Sequence, residues 1–433
     1  MITRYDLGYY ALTPLAAPYL AYRSLTRRKY RESARGMLGL DLPIGNNRKQ
    51  WKAGSIWIHA VSVGEVVAAY SIAPLLKKRF PRLPILVTTV TETGQAHAHK
   101  IVKEATAIHY FPLDFSWNVQ RFLRCFRPKL VILMETEIWP NFLTLSRRQG
   151  AEVFMVNGKL SEGSFKGYSF GRSLLAPAFQ AFRAFCMQTE SDAERMRELS
   201  RRPEDVYVTG NCKFDAVMEP LDDDVARLVK INYKLGQEDR PTLVVGSTHP
   251  GEEEIFLNVY RRLRERFPTM RLILSPRHPE RFHEVYEMFR RQEADWRVSR
   301  ASLPRQADPD VFILDKMGEL ARMYGLGDVA VVAGSFCPVG GHNVLEAAIH
   351  AIPVVVGPDM HSQKELDRLF RSEESGLVRC TAENVAEKLT ELFQDQGLRE
   401  KIGKQALDTS RKNQGSAKRS LEIIEKYVSG LEL

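Results

Sequence analysis

The architecture is legible at residues 329–348, "VAVVAGSFCPVGGHNVLEAA". An apolar run, Val329 to Ala333, ends in Gly334-Ser335. A glycine pair follows at Gly340-Gly341, then His342-Asn343, with Glu346 three residues past Asn343. Glycines at a strand end let backbone approach a ligand closely. The helix start behind them offers free N–H groups and partial positive charge, which suits a phosphate. Glu346, a turn deeper on the same face, can accept both hydroxyls of a ribose, so the stretch fits a nucleotide. The plainer alternative is that Asn343 caps the helix and Glu346 completes a capping box.

Outward from this stretch, apolar runs alternate with helical patterns. "TLVVGS" (242–247), "RLILSP" (271–276), "VFILD" (311–315) and "IPVVVG" (352–357) belong with it. An earlier set comprises "IWIHAV" (56–61), "ILVTTV" (85–90), "AIHYF" (107–111), "LVILM" (130–134), "VFMVN" (153–157), "FCMQT" (185–189) and "VYVTG" (206–210). Runs this continuous suit strands buried on both faces, hence parallel sheets with helices on either side. A polar stretch at 219–241 separates the sets. The expected organisation is an N-terminal segment (1–35), a Rossmann-like domain (36–215), a linker (216–240) and a second Rossmann-like domain (241–433), whose last helix can pack back on the first domain. The 433-residue length suits two cores.

Composition excludes several classes. With 44% hydrophobic and 27% charged residues the chain is a globular protein. The net charge of +9 suits a phosphorylated or membrane-surface partner. No aromatic-basic RNA motif or zinc-finger spacing accompanies it, so no nucleic-acid partner is expected. Five scattered cysteines without a Cys-x-x-Cys point to a reducing compartment.

The N-terminus is unusual. Residues 7–22, "LGYYALTPLAAPYLAY", carry no charge, and Arg23, Arg27, Arg28, Lys29, Arg31 and Arg35 follow. Sixteen residues with two prolines fall short of the ~20 needed to span a bilayer. Tyrosines beside a basic stretch suit the interface of an anionic membrane on its cytoplasmic side. Removing residues 1–24 is expected to leave both domains intact; the alternative is a buried N-terminal helix.

Two doubly wound domains normally bind ligand at the carboxyl ends of their strands, in the cleft between them. Seven polar segments sit there: "SVGE" (62–65), "ETEIWPN" (135–141), "GNCKFD" (210–215), "GSTHPGEEE" (246–254), "SPRHPER" (275–281), "DKMGE" (315–319) and the opening stretch. Arg277 suits a phosphate, and the backbone of Met317, Gly318 and Glu319, at an expected helix start, suits the polar edges of a base. Glu135 and Glu137 are indistinguishable on the residues alone. His97 and His99, two apart on an expected helix, diverge and read as surface residues. "DPD" (308–310) and "DDD" (222–224) read as solvated loops, so no metal and no cofactor is expected.

The strings "HAVSVGEVVAA", "TTVTETG", "METEIWPN", "VNGKLSEGSF", "GNCKFD", "GSTHPGEEE", "PRHPER", "MGEL" and "GSFCPVGGHNVLEAA" run in order along the chain. Together they resemble the 3-deoxy-D-manno-octulosonic acid (Kdo) transferases of lipopolysaccharide synthesis. The resemblance implies the two-domain GT-B fold, CMP-Kdo as donor, a lipid A precursor (lipid IVA) as acceptor, and attachment to the cytoplasmic face of the inner membrane. It implies Glu65 as proton acceptor, with Glu135 and Lys213 stabilising the transition state. Inverting transfer does need a base for the acceptor hydroxyl. CMP binding carries over to Pro276, Arg277, Met317, Gly318, Glu319, Asn343, Val344, Leu345 and Glu346. The chain departs from the family's "NGRxSxRS" pattern at Lys159 and Gly163. Two rivals stand beside this expectation: another GT-B enzyme using a UDP-sugar, whether transferase or 2-epimerase, and a non-enzymatic membrane-surface module.

Overall fold

The computed structural model describes residues 3–11, 13–14, 28–43, 49–216, 220–236, 238–292, 295–303 and 307–428. The chain divides into two compact units: Met1–Ala216 with Asn413–Leu433, and Val217–Lys412. The first holds seven strands: β1 (Ser55–His59), β2 (Ile85–Thr89), β3 (Ala105–Tyr110), β4 (Pro128–Met134), β5 (Glu152–Gly158), β6 (Phe182–Met187) and β7 (Val206–Val208). They pair in the order β3-β2-β1-β4-β5-β6-β7, every pair parallel. The second unit holds β8 (Thr242–Thr248), β9 (Arg271–Pro276), β10 (Val298–Arg300), β11 (Val311–Ile313), β12 (Val329–Val332), β13 (Val354–Val356) and β14 (Leu377–Arg379). Their order is β10-β11-β9-β8-β12-β13-β14, again all parallel.

The continuous apolar runs are explained by two-sided burial. Trp57, Val131, Leu133, Val153 and Met155 enter one core of the first sheet, and their neighbours Ile56, Ile58, Leu130, Ile132 and Phe154 enter the other. Side chains alternate faces along a strand, so both parities must be apolar. Truncating a fully buried ring such as Phe154 to alanine costs about 3–5 kcal/mol. In each sheet the first strand lies beside a much later one, β1 beside β4 and β8 beside β12. These are the points where strand order reverses, and open α/β sheets place ligands outside the carboxyl ends there.

Two edge strands, β10 and β14, were not expected from the sequence; each has three residues and ends in an arginine. The stretch expected as a linker contains the helix Asp223–Asn232, and Asp222 Oδ1 caps it by accepting the Val225 N–H at 2.8 Å. Residues 217–219, between the units in sequence, lie outside the described residues.

The expectation of a solvated "DPD" loop is corrected. Asp310 pairs with Arg240, Arg264 and Arg297, while Asp308 pairs with Arg240, Arg271 and Arg297. Burial alone would raise the Asp310 carboxyl, but bonds from Arg297, Arg240 and Arg264 hold it well below the usual carboxylate range. The knot sits at the amino ends of β8, β9 and β11, away from the carboxyl ends where ligand is held.

The expectation that residues 1–24 are dispensable is also corrected. Residues 4–11 are helical and dock on the first unit. The fully buried Asp6 accepts the Ser116 N–H at 2.8 Å and the Asn141 amide at 3.0 Å. The Tyr9 hydroxyl donates to Asp114 Oδ2 at 2.9 Å, and that of Tyr5 to the Leu174 carbonyl at 3.0 Å. Removing these groups would strip partners from buried polar atoms. Residues 12 and 15–22 of the expected membrane segment, with Arg23 and Arg27, lie outside the described residues. No helix among the described residues is long and apolar enough to cross a membrane.

The last helix, Ser416–Val428, packs on the helix Val63–Arg79 of the first unit. Asp215 accepts the Gly415 and Ala417 N–H groups at 2.5 and 2.6 Å, and Arg419 donates to the Thr209 carbonyl at 2.7 Å. Residues 413–433, assigned by sequence to the second domain, therefore complete the first unit.

Candidate active site

In the first unit Glu65 is the third residue of the helix Val63–Arg79, just after β1. Its carboxylate turns back over the helix start: Oε2 accepts the Val61 N–H at 2.8 Å, and Oε1 accepts the Ser62 hydroxyl at 3.0 Å. The helix-cap alternative is thus partly true, because the same group that faces the strand ends also closes the helix start. Burial pushes the Glu65 carboxyl up, against the two hydrogen bonds and Lys213, and the charge of Glu135 pushes it up further.

Glu135 follows β4, next to β1 in the sheet. Its φ of 56° is left-handed, held by an N–H bond to the Val156 carbonyl at 2.9 Å. Such a conformation costs a non-glycine residue on the order of 1 kcal/mol and persists where surroundings impose it. It aims the side chain at Lys213, with Nζ to Oε1 at 2.8 Å.

Lys213 comes from the other edge of the sheet. After β7 the chain turns back as Cys212–Ala216. The Cys212 N–H donates to Asn157 Oδ1 at 2.8 Å, and its carbonyl accepts the Ser71 hydroxyl at 2.6 Å. Gly64 makes room: a Cβ there would lie 3.3 Å from Lys213 Nζ. Lys213 thus pairs with Glu135, and its charge also reaches Glu65.

Glu137 is a third carboxylate. Among the described residues it has no cation partner; the Trp139 indole N–H donates to its Oε2 at 3.0 Å. Burial, then the charge of Glu65, pushes its carboxyl up to about 7. The structure thus separates Glu135 from Glu137, which the sequence left equivalent: Glu135 pairs with Lys213, while burial and the Glu65 charge raise the Glu137 carboxyl.

In the second unit the carboxyl ends of β8, β9 and β12 gather the expected donor-side residues. Pro276 ends β9, and the Arg277 N–H donates to the Thr248 carbonyl at 3.0 Å. Asn343 Oδ1 accepts the Leu345 N–H at 3.1 Å, and its Nδ2 lies 3.4 Å from Glu346 Oε1. Burial raises the Glu346 carboxyl, while Asn343 and the Arg277 charge oppose this. The helix expected here is a single turn, Leu345–Ala348, and Glu346 does not reach back to a backbone N–H. Neither a strong helix dipole nor a complete capping box is built; polarity comes from Asn343, Glu346 and Arg277. Val344 and Leu345 bury their side chains, leaving backbone atoms for a ligand. Met317, Gly318 and Glu319 lead into the helix Leu320–Tyr324, with Glu319 at its N-cap; Met317 is exposed and Gly318 has a φ of 86°.

Sequence reasoning missed the anchors of this half. Glu252 is fully buried and accepts three backbone N–H groups: His249 at 2.9 Å, Gly334 at 2.8 Å and Phe336 at 3.0 Å. Glu253, also buried, holds Arg281 at 2.6 Å and the Thr248 hydroxyl at 2.9 Å. The segment "GSTHPGEEE" was expected at the strand ends, but nothing in it marks Glu252 and Glu253 as buried anchors. Lys159 and Gly163 are exposed, outside both clusters, although Lys159 shares reciprocal bonds with the Thr136 hydroxyl. Among the described residues no group of three or more His, Cys, Asp or Glu is placed to hold a metal ion.

A family model described as 3-deoxy-D-manno-octulosonic-acid transferase (kdotransferase) matches residues 31–216, the unit holding Glu65, Glu135 and Lys213. A 3-deoxy-D-manno-octulosonic acid transferase of Haemophilus influenzae is 31% identical over 417 residues, covering 96% of each chain. The chain belongs to the Kdo transferases. The transferase of Chlamydia muridarum is 30% identical and covers 99% of this chain and 98% of its own. As a Kdo transferase the chain is a glycosyltransferase. Among solved structures, a UDP-GlcNAc 2-epimerase from Neisseria meningitidis superposes with a TM-score of 0.56, covering 86% of this chain and 100% of that one at 12% identity. That likeness places the fold, two Rossmann-like units of the GT-B type, and nothing of the chemistry.

Proposed function

We propose that this Kdo transferase takes Kdo from CMP-Kdo and attaches it, with inversion, to a lipid A precursor of the lipid IVA kind, in lipopolysaccharide synthesis. Glu65 takes the proton from the attacking hydroxyl. Its raised carboxyl makes it a stronger base than an ordinary glutamate, and its two hydrogen bonds fix its direction. Lys213 offsets negative charge on the departing phosphate or the Kdo carboxylate, and Glu135 holds that lysine in place. Pro276, Arg277, Met317, Gly318, Glu319 and residues 343–346 hold the CMP moiety. No cofactor or metal takes part. The observation that carries the proposal is the meeting of Glu65, Glu135 and Lys213 at the reversal point of the first sheet. A mass spectrum of the product formed from CMP-Kdo and tetraacylated lipid IVA tests it; an acceptor without added Kdo, or transfer from a UDP-sugar instead, sinks it.

The acceptor's acyl chains lie in a bilayer, so the enzyme gains from being held at the cytoplasmic face of the inner membrane. Support comes from an exposed apolar set on the first unit: Leu7, Tyr10, Trp117, Leu174 and Phe170, the last 97% exposed. Tyr10 stacks on Phe115, and Phe115 on Trp117. The six basic residues from Arg23 to Arg35 add about 1 kcal/mol each near an anionic surface. Because residues 3–10 are structural, the test is a chain lacking 12–24. It should stay folded, bind vesicles of anionic lipid less than the full chain, and work better on acceptor in detergent than in vesicles. Equal vesicle binding would remove the anchor.

A further inference from the structure

His249 and His342 meet beside the donor residues with no assigned role. Their Nε2 atoms lie 2.8 Å apart, the ring planes are 9° from parallel and the centroids are 5.1 Å apart. Nearly parallel rings at that centroid spacing with nitrogens at that distance lie end to end, the geometry of one in-line N–H···N bond. One ring must present N–H and the other a bare nitrogen. The pair therefore has room for one more proton and no second: two doubly protonated rings would point N–H at N–H.

The frame around the pair is rigid. Gly334, with a φ of 73°, leaves the space the His342 ring fills; a Cβ there would come within 2.7 Å of it. Glu252 clamps the His249 and Gly334 N–H groups to the same carboxylate oxygen. Charged neighbours come from every side. Arg277 and His278 face both rings, and His278 contacts His249 edge-on at 5.1 Å. Arg281 and Glu253 face His249, but Arg281 is already held by Glu253. Behind Gly340, His361 is tied to Asp359 at 2.7 Å. Glu346 feels the Arg277 charge and is bonded to Asn343. The surroundings are poor in free negative charge.

We propose that the His249–His342 pair is a one-proton receptor for the anionic part of the donor: seating a phosphate or sugar carboxylate beside Arg277 draws one proton onto the bare Nδ1 of the ring that donates the shared N–H···N bond, which stays in place. The free pair is neutral, since burial, then the neighbouring His and Arg charges, pushes the His342 imidazole down to about 4. An arriving anion supplies the missing counter-charge and reverses that bias. Because the bound pair takes up a proton, nucleotide affinity strengthens as pH falls through the bound-state midpoint. It levels off below the free-state midpoint. His249 and His342 are positioning residues here, presenting N–H to the anion while Glu65 does the proton abstraction in the other unit.

The proposal rests on the CMP-binding assignment and deepens it. The test is a pH titration of histidine-labelled, full-length protein by long-range proton–nitrogen NMR, with His342→Gln and His249→Gln used only to assign signals. With saturating CMP the titration midpoint of the pair should rise by about one to two pH units; cytidine, which lacks the phosphate, should leave it in place. A rise with CMP alone identifies phosphate as the anion. A rise only when free Kdo is added as well identifies the sugar carboxylate. CMP that binds without moving the midpoint, whether or not free Kdo is added, overturns the role of the pair while leaving the nucleotide assignment standing. No CMP binding overturns both.

Discussion

The two units share one wound-sheet plan and use it for opposite electrostatics. At the reversal between β1 and β4 the first unit gathers three carboxylates and one lysine. At the reversal between β8 and β12 the second gathers His249, His342, Arg277, Asn343 and Glu346, while the nearby Glu252 and Glu253 are already taken up by backbone N–H groups and by Arg281. Crowded, half-desolvated carboxylates raise one another's affinity for protons, which suits proton abstraction. Crowded imidazoles beside an arginine are pushed toward their neutral form. One doubly wound plan thus supports either chemistry, and the side chains past the strand ends choose.

The sharpest way to break this contrast is Glu65→Gln. It keeps the bonds to Val61 and Ser62 within reach and removes the base, so turnover should fall by roughly 10²–10⁴ with CMP affinity unchanged. A rate within a few-fold of wild type would take Glu65 out of the chemistry. Next in size is Glu252→Ala, which leaves three buried N–H groups unpaired; the second unit should lose about 2–4 kcal/mol in thermal unfolding. An unchanged melting temperature would show that water replaces the carboxylate.

Glu346→Ala should weaken CMP by roughly 1.5–3 kcal/mol in calorimetric titration while circular dichroism is unchanged. Melting of the local helix would instead restore the capping account. The smallest effect is expected at Glu137→Gln. Folding raises this carboxyl from about 4.5 to about 7, so the fold prefers it neutral. Wild-type stability should then decline as pH rises from about 4.5 through about 7, and the glutamine variant should lack that decline. At pH 8 the variant should be more stable by on the order of 1 kcal/mol, the shift being discounted for partial exposure. Parallel melting curves at pH 5 and pH 8 would show that Glu137 is free of its neighbours.

How far the chain could be read in advance follows from what kinds of pattern burial imposes. Strands buried on both faces must be apolar at every position, so twelve runs marked strands directly, from Ile56 to Val356. Val298–Arg300 and Leu377–Arg379 escaped because three-residue edge strands need no such run. Asp6, Glu252 and Asp310 look like solvated polar residues, and only their distant partners, Ser116, Gly334 and Arg240, make them interior groups. At the site, resemblance supplied Glu65, Glu135 and Lys213, but Glu135 could be told from Glu137 only by a backbone φ of 56° and a lysine 78 positions away.

The return of residues 413–433 to the first unit has a consequence for biosynthesis. The half that carries Glu65 is translated first yet is closed last, because the helix that buries Ala417, Ile424 and Val428 against it emerges only after the second unit has been made. The nascent first sheet must wait, with that apolar face uncovered, while nearly two hundred residues of the second unit are made and folded. A premature stop after Lys412 would therefore spare the later-made half and cripple the earlier one, and ribosome-associated chaperones would be expected to hold this chain until residues 413–433 arrive.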